Sequence, residues 1–299
     1  MEPLKLKITY RPEQSAKENS SLSPSAGKPA KLMEKIATSG YSTELLRFEP
    51  VTREMLAEAH DPDFVDGVLD GEFPNGFGNQ IQSVADTLPY TTGSFVAAAL
   101  EAFRSKDCVL SPTSGFHHAH YERGGAFCTF NGLIVAAQQL KKAGARKIAI
   151  IDLDQHYGDG TAALLTKHGL AAFVAHYTSG ADHITKANAE TWLQSLPSSV
   201  SRFADADVWL VQLGADPYVN DPLGGVLTME QLYRRDLVIF QAAKNHGIPV
   251  AWNLAGGYAE LFDEVLQIHM NSIRAYFEAN GTSNQELSPA RQNRRKEEG

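Results

Sequence analysis

The chain has 299 residues, of which 43% are hydrophobic and 21% are charged, so it can bury a sizeable core. Its formal net charge of −8 argues against a nucleic-acid-binding surface, since domains of that kind are usually basic. Two cysteines cannot build a disulfide framework, and no apolar run reaches the about 18 residues of a membrane span. A cytoplasmic location without a membrane partner is therefore expected.

Short β-type apolar runs alternate with longer segments of helical periodicity along the chain. The runs that predict strands are Leu4–Tyr10, Leu45–Phe48, Cys108–Leu110, Lys147–Leu153, Ala171–His176, Val208–Leu213 and Pro249–Leu254. The clearest predicted helices are Phe95–Arg104, Phe130–Ala143, Gly158–Lys167, Met229–Asn245 and Leu261–Ala279. Strands that alternate with helices predict a three-layer α/β/α fold, in which helices cover both faces of a central, mainly parallel sheet.

The chain shows no composition break between Leu4 and Ala279, and residues 1–279 are therefore expected to form one domain. Residues 15–31 are rich in Ser, Pro and Lys and are expected to be a long loop that enters a helix near Pro29. Residues 280–299 are polar throughout, so they are predicted to be a disordered C-terminal tail.

The stretch KIAIIDLDQHYGDGT combines a buried strand with three groups that can bind metals: Asp152, Asp154 and His156. One interpretation is a phosphatase, with a nucleophilic Asp beside Mg²⁺, but that pattern places Gly-Thr directly after the second Asp. Here Gln155 and His156 intervene. The other interpretation is a transition-metal site, and it is favoured because neutral imidazole suits Zn²⁺ or Fe²⁺ better than Mg²⁺.

A catalytic zinc ion usually takes three protein ligands, and the candidate for the third is Asp216. It follows the predicted strand Val208–Leu213 through a glycine, although an Asp in that position is also a common helix N-cap. Ligands of parallel α/β sheets bind beyond the carboxyl ends of the strands, where Asp154 and Asp216 both lie.

The stretch SPTSGFHHAH contains two adjacent histidines, His117 and His118, whose side chains should point in different directions. A general base and its electrostatic partner explain such a pair better than a shared metal does, although two unrelated loop histidines remain an alternative. His120 has no partner in this scheme and is expected to play no part.

The ordered stretches SGFHHA, GAFCTFNG, DLDQHYGDGT, GADPYVNDPLGG and LAGGY resemble the motifs of the zinc-dependent histone deacetylase family. That family includes acetylpolyamine amidohydrolases and bacterial relatives, and it has the arginase/deacetylase-like fold. The resemblance runs from about Ala59 to Tyr258. It implies that the chain removes acetyl or short acyl groups from amines such as acetyl-lysine.

The resemblance also implies a role for each matching residue. One Zn²⁺ per chain would be bound by Asp154, His156 and Asp216, and the catalytic residues would be His117, His118, Tyr258, Asp152 and Asp159. In this scheme His118 is the general base and then the general acid, Asp152 orients His117, and Asp159 orients His118. Tyr258 would donate its hydroxyl to the developing oxyanion. A K⁺ ion near Asp152 is expected as well.

The expected substrate contacts are Phe127, Gly257 and Leu223. Phe127 resembles one aromatic wall of the family's substrate tunnel, although a core phenylalanine is the plain alternative. The segment after Ala175 is short, so the second wall stays unassigned, and a partner subunit in a homo-oligomer could close the mouth.

Leu223 stands at a rim position where polyamine-selective relatives can carry an acidic residue. The leucine favours an acyl-lysine type of substrate, while acetylpolyamines and small acylated metabolites remain alternatives. A non-catalytic protein that binds acyl-lysine is the rival from another class.

Overall fold

The computed structural model describes residues 4–16 and 23–281, which form a sheet covered by helices on both faces. The strands are β1 (Leu6–Thr9), β2 (Thr43–Leu46), β3 (Cys108–Leu110), β4 (Ile148–Asp152), β5 (Val174–Thr178), β6 (Val208–Gln212) and β7 (Val250–Asn253). The helices are α1 (Lys28–Thr38), α2 (Arg53–Ala57), α3 (Pro62–Leu69), α4 (Gln82–Ala85), α5 (Leu88–Ser105), α6 (Gly132–Lys142), α7 (Asp159–Lys167), α8 (Ala189–Ser201), α9 (Met229–His246) and α10 (Phe262–Ala279).

The seven strands lie in the order β2-β1-β3-β7-β6-β4-β5, and every neighbouring pair is parallel. This confirms the predicted three-layer fold. The predicted tail from residue 280 lies almost wholly outside the described residues.

Side chains of the central strands alternate between two hydrophobic clusters, because successive residues of a strand point to opposite faces of the sheet. On β4, Ala149 and Ile151 belong to the cluster that includes residues of α1, α8, α9 and α10, while Ile148 and Ile150 belong to the cluster that includes residues of α3, α5, α6 and α7. Both faces are therefore buried, as is usual for a parallel sheet.

The strand predicted at Ala171–His176 is displaced toward the C-terminus. Residues 171–173 form a turn that closes α7, with the Phe173 N–H donating to the Leu170 carbonyl at 2.9 Å. The strand begins at Val174, where pairing with β4 starts, and continues to Thr178 opposite Asp152. Helix α5 begins at Leu88 and not at Phe95, since Pro89 is well placed in a first helical turn.

The central strands β3, β7, β6 and β4 end side by side, so the segments after them meet at one edge of the sheet. Gln212 joins two of these segments. Its side-chain amide donates to Asp152 Oδ1 at 3.0 Å, and its Oε1 accepts from the Phe116 N–H at 3.0 Å. Over the described residues, the helices are too short or too polar to cross a bilayer.

Candidate active site

Asp154, His156 and Asp216 converge at this edge of the sheet, and each offers a ligand atom within 4.8 Å of the others. His156 Nδ1 lies 3.2 Å from Asp154 Oδ1 and 3.1 Å from Asp216 Oδ2. Both carboxylates are buried, and Asp216 Oδ1 has no hydrogen-bond partner among the described residues. Two buried carboxylates and an imidazole suit a zinc-type cation, so the predicted ligands fit the metal that the sequence implies.

The electrostatics of the triad point to the same conclusion. The carboxylates of Asp154 and Asp216 raise the pKa of His156 to about 11. Burial and the neighbouring Asp154 carboxylate raise the pKa of Asp216 well above its usual value. Burial also opposes ionisation of Asp154, but His117 and His156 outweigh it and hold that pKa low. Without a metal, the charge of the two carboxylates is thus offset by protons on His156 and Asp216, and a divalent cation would take over that role.

Arg235 of α9 forms hydrogen bonds with two loops that carry metal-ligand candidates. Its Nη1 donates to the Leu153 carbonyl at 3.0 Å and to the Gly214 carbonyl at 2.8 Å. The fully buried guanidinium also pairs with Asp236 at 2.7 Å. The sequence carries a signal for this role, since Arg235 lies three positions after Leu232 and four before Ile239 on the apolar face of the helix.

The loop that leads to Tyr258 is held by Lys28 at the start of α1. The Lys28 ammonium donates to the Ala255 carbonyl at 2.7 Å and to the Gly256 carbonyl at 3.2 Å. Burial lowers the Lys28 pKa to about 8, against the opposing effect of nearby carboxylates. The backbone here is unusual, since Ala255 has φ +46° and Gly257 has φ +139°. Lys28 therefore secures a strained turn.

The adjacent histidines each pair with the expected carboxylate. His117 Nδ1 lies 2.6 Å from Asp152 Oδ2 inside the protein, and His118 Nδ1 lies 2.6 Å from Asp159 Oδ1 nearer the surface. Burial disfavours the charged form of His117, but the carboxylates of Asp152 and Asp154 outweigh it and raise its pKa to about 9. Burial and the charge of His117 lower the pKa of His118. The two rings therefore favour different protonation states.

His120, for which the sequence suggested no partner, has one in the site. His120 Nε2 lies 3.1 Å from Asp159 Oδ2, so the Asp159 carboxylate pairs with His118 through one oxygen and with His120 through the other. An ionised carboxylate only accepts hydrogen bonds, and both ring nitrogens must therefore be donors. Sequence reasoning assigned Asp159 a single partner and did not consider its second oxygen.

These groups surround a cavity of about 130 Å³. Its lining includes His117, His118, Ala126, Phe127, Asp154, His156, Leu223, Gly256 and Tyr258. The rings of Phe127 and Tyr258 lie 5.1 Å apart, and Leu223 is 48% exposed at the mouth. Leu223 also contributes its carbonyl oxygen, which lies 2.8 Å from His156 Nε2. Phe127 thus lines the cavity, as the tunnel interpretation predicts.

Gly257 differs from its predicted place as a substrate contact, because Gly256 lines the cavity and Gly257 lies behind it. A Cβ atom on Gly257 would lie 2.9 Å from side-chain atoms of Ala215 and Val265. Its φ of +139° is a conformation that a side chain rarely adopts. Gly257 therefore serves the turn that presents Tyr258.

The short segment after Ala175 packs below the metal-ligand candidates. Ser179 Oγ donates to the Asp154 carbonyl at 2.8 Å, and Gly180 lies against the backbone of His156 and Tyr157. Among the residues described, this segment contributes no side chain to the cavity lining. Leu223 and His156 are among the residues that line the cavity together with Phe127.

Comparisons with known proteins show which family the chain is similar to. Residues 24–183 match the family model described as the histone deacetylase domain. An uncharacterized protein of Picosynechococcus sp. is 26% identical over 246 residues, which are 75% of this chain and 81% of that protein. An acetylpolyamine amidohydrolase of Mycoplana ramosa is 29% identical over 169 residues, which are 48% of this chain and 49% of that enzyme. The chain thus spans about half the length of that amidohydrolase.

The fold is also similar to that of a solved structure, the crystal structure of the HDA15 HD domain. The TM-score is 0.74 at 17% sequence identity, and the match covers 95% of this chain and 93% of that one. At this identity the likeness supports the fold alone.

Proposed function

This chain belongs to the histone deacetylase domain family, and on that premise we propose that it is a zinc-dependent amidohydrolase that removes acetyl or short acyl groups from amines such as acetyl-lysine. The observation that carries the proposal is the convergence of Asp154, His156 and Asp216 beside two histidine–carboxylate pairs in one cavity. Together with Tyr258, which lines the same cavity, this set would provide a metal site, a general base and an oxyanion donor within one small volume.

Asp154, His156 and Asp216 would hold the zinc ion. When bound, zinc would supply Lewis-acid polarisation of the acyl carbonyl and would lower the pKa of water. Asp216 Oδ1 has no hydrogen-bond partner among the residues that the structure describes, and this supports the assignment, because a buried carboxylate oxygen needs a compensating cation or donor.

His118 is the residue of this chain that would move the proton. Its Nδ1 is engaged by Asp159, so Nε2 is the nitrogen free to accept a proton from the attacking water. The lowered pKa keeps this nitrogen unprotonated near neutral pH. As the water oxygen bonds to the acyl carbon and the C–N bond breaks, His118 would return the proton to the leaving amine.

Tyr258 would stabilise the negative charge that develops on the carbonyl oxygen. Burial and the carboxylates of Asp154 and Asp216 raise the pKa of its hydroxyl, which therefore stays protonated and able to donate a hydrogen bond. The Tyr258 backbone N–H donates to the buried Asp221 carboxylate at 2.6 Å, which fixes the residue in place. His117 is paired with buried Asp152, whose carboxylate favours the protonated form of the ring.

The shared carboxylate gives a prediction for His120→Ala. The substitution removes an N–H donor from Asp159, which should then stabilise the charged form of His118 more strongly and raise the His118 pKa by about half a unit. The base form is lost as pH falls through that pKa, so the acidic limb of the kcat/KM profile should move to higher pH. His118 resonances followed by NMR in the metal-free protein should show the same displacement.

His246→Ala is the control for this measurement, because His246 is exposed at the end of α9 and contacts Ser201. An unchanged His118 titration in His120→Ala would show that the second oxygen of Asp159 does not influence the base.

For the substrate, Leu223 at the mouth favours the alkyl chain of an acyl-lysine. A second candidate is an acetylpolyamine, which the similarity to the Mycoplana ramosa enzyme favours.

Zinc content and the kcat/KM values for an acetyl-lysine peptide and for acetylspermidine test both candidates. We expect one zinc per chain, preference for the peptide, and a shift toward acetylspermidine in Leu223→Glu. Clear acetylpolyamine preference in the unmodified protein would contradict the assignment, and zinc binding without turnover of either substrate would favour a non-catalytic acyl-lysine-binding protein.

Four further sequence predictions remain predictions: the cytoplasmic location, a homo-oligomer, the single catalytic domain over residues 1–279, and K⁺ near Asp152. Both Asp152 oxygens already accept hydrogen bonds, from Gln212 and Asp154 at Oδ1 and from His117 at Oδ2. A K⁺ ion at this place would therefore depend mainly on backbone carbonyl groups.

A further inference from the structure

Strand β2 forms an open edge of the sheet, because it pairs with β1 on one side and is the last of the described strands on the other. Its residues, Thr43–Leu46, are half-buried or exposed, whereas those of β5 at the opposite edge are buried or half-buried. Proteins usually protect an open edge, since its free N–H and C=O groups can pair with a strand of another chain. Strand β2 is thus the edge of this sheet that another strand can reach.

The pairing with β1 shows which groups of β2 face outward. The Leu6 N–H donates to the Ser42 carbonyl at 2.9 Å, and Leu6 stands opposite Thr43 in the register. In a parallel pair, alternate residues of a strand bond to the same neighbour, so Glu44 bonds to β1 while Thr43 and Leu45 turn their N–H and C=O groups away from it. Over the residues that the structure describes, no backbone hydrogen bond reaches these outward groups.

Leu45 extends the apolar face of the sheet to this edge. It stands opposite Ile8, which is fully buried in the hydrophobic cluster on that face. Leu45 itself is 60% exposed. An apolar group that covered the Leu45 side chain would remove this area from water, which is favourable.

Two opposite charges of this edge have no ion-pair partner among the described residues. Lys7, which stands opposite Glu44, pairs instead with Glu101 at 3.4 Å and with Asp107 at 3.3 Å. Arg47 follows the end of β2 and lines the same surface hollow as Glu44, and both side chains are exposed. One copy of the chain therefore presents a carboxylate and a guanidinium, three positions apart, that are free to pair with another chain.

We propose that β2 is an interface between two copies of this chain, in which the two β2 strands pair antiparallel about a two-fold axis at Leu45. A two-fold axis brings a surface against itself, so that surface must be complementary to its own copy. The outward N–H and C=O groups of each Leu45 bond to those of the other copy, and the two side chains lie in contact. Thr43 stands opposite the partner's Arg47, and Glu44 lies next to it, so both unpaired charges gain an opposite charge.

The chain offers one rival occupant of this edge, residues 282–299. They follow α10, whose Phe277 stacks on Tyr41 at 4.8 Å, two positions before β2 begins. These residues contain a single large apolar side chain, Leu287, and lack the alternating apolar pattern of a strand. A second copy of β2 matches Leu45 better, because it brings a leucine to the same place.

Sedimentation velocity of the full chain between about 1 and 100 µM tests the interface. Because β2 is short, we expect a weak dimer with a Kd on the order of 10 µM. Glu44→Arg and Arg47→Glu should each place like charges across the axis and weaken dimerisation at least about tenfold. An equimolar mixture of the two variants should restore the dimer, because opposite charges face each other again in the mixed pair.

Leu45→Lys should abolish the dimer, since it places two ammonium groups at the axis. Leu261→Lys is the matched control, because Leu261 is 66% exposed and lies at the start of α10. This variant should dimerise like the unmodified protein. Thermal unfolding followed by circular dichroism should show that every variant is folded.

A monomer at every concentration would overturn the proposal. So would unchanged dimerisation in Leu45→Lys, or a mixture of the charge variants that dimerises no better than each variant alone. Dimerisation that appears only after removal of residues 282–299 would also overturn it, because those residues would then occupy the edge. The proposal does not rest on the proposed function, and none of these outcomes bears on amide hydrolysis.

Discussion

Asp216→Asn and His156→Ala should each abolish both zinc binding and amide hydrolysis. Each substitution weakens or removes one of three protein ligands, because Asn lacks the negative charge of the carboxylate and Ala lacks the imidazole nitrogen. Elemental analysis after dialysis should find one zinc per chain in the unmodified protein and almost none in the variants. Full zinc occupancy with a native fold in either variant would refute the ligand assignment.

Thermal unfolding separates loss of metal from loss of fold. In metal-free protein, Asp154 and Asp216 are buried carboxylates that raise the electrostatic free energy of the folded state, so Asp216→Asn should melt no lower than the metal-free parent. Zinc at about 100 times its Kd should stabilise the parent by about 2.7 kcal/mol and leave the variant unchanged. The control is Asp205→Asn, because Asp205 is an exposed carboxylate paired with Lys147. This variant should retain the stabilisation by zinc.

His118→Ala and Tyr258→Phe should keep the metal and lose most of the turnover. Removal of a general base is expected to lower kcat by about 10²–10⁴, and removal of an oxyanion donor by about 10²–10³. Neither side chain is part of the metal-ligand triad. Zinc content and hydroxamate affinity should therefore remain close to those of the unmodified protein, while kcat falls.

The controls for this pair are Tyr157→Phe and His246→Ala. Tyr157 is 48% exposed and does not line the cavity, and His246 lies at the end of α9. Both should retain normal rates. A near-normal rate in His118→Ala or Tyr258→Phe would mean that another group performs the assigned step.

The sequence alone predicts the strand–helix alternation and the chemistry of the site. Continuous apolar runs such as Ile148–Ile151 predict strands of a parallel sheet that are buried on both faces. The structure confirms this, because the side chains of β4 are buried in the hydrophobic clusters on both faces of the sheet. Two of the metal-ligand candidates can be predicted from the short stretch DLDQH alone. Asp154 and His156 are only two positions apart, and both follow directly after the end of β4. The position of Asp216 close to them can also be predicted, because the carboxyl ends of neighbouring parallel strands meet at the same edge of the sheet.

Only the tertiary structure determines which groups support that site. Lys28 holds a turn 227 positions away, and Arg235 joins loops that belong to two different strands. Composition cannot show that such charges are buried, since Lys and Arg are usually exposed. Asp159 pairs with His120 as well as His118, and segments about 50 residues apart in sequence meet where the Gly76 N–H donates to Thr129 Oγ1. Periodicity reports the local environment of each residue, whereas these contacts depend on how distant segments pack together.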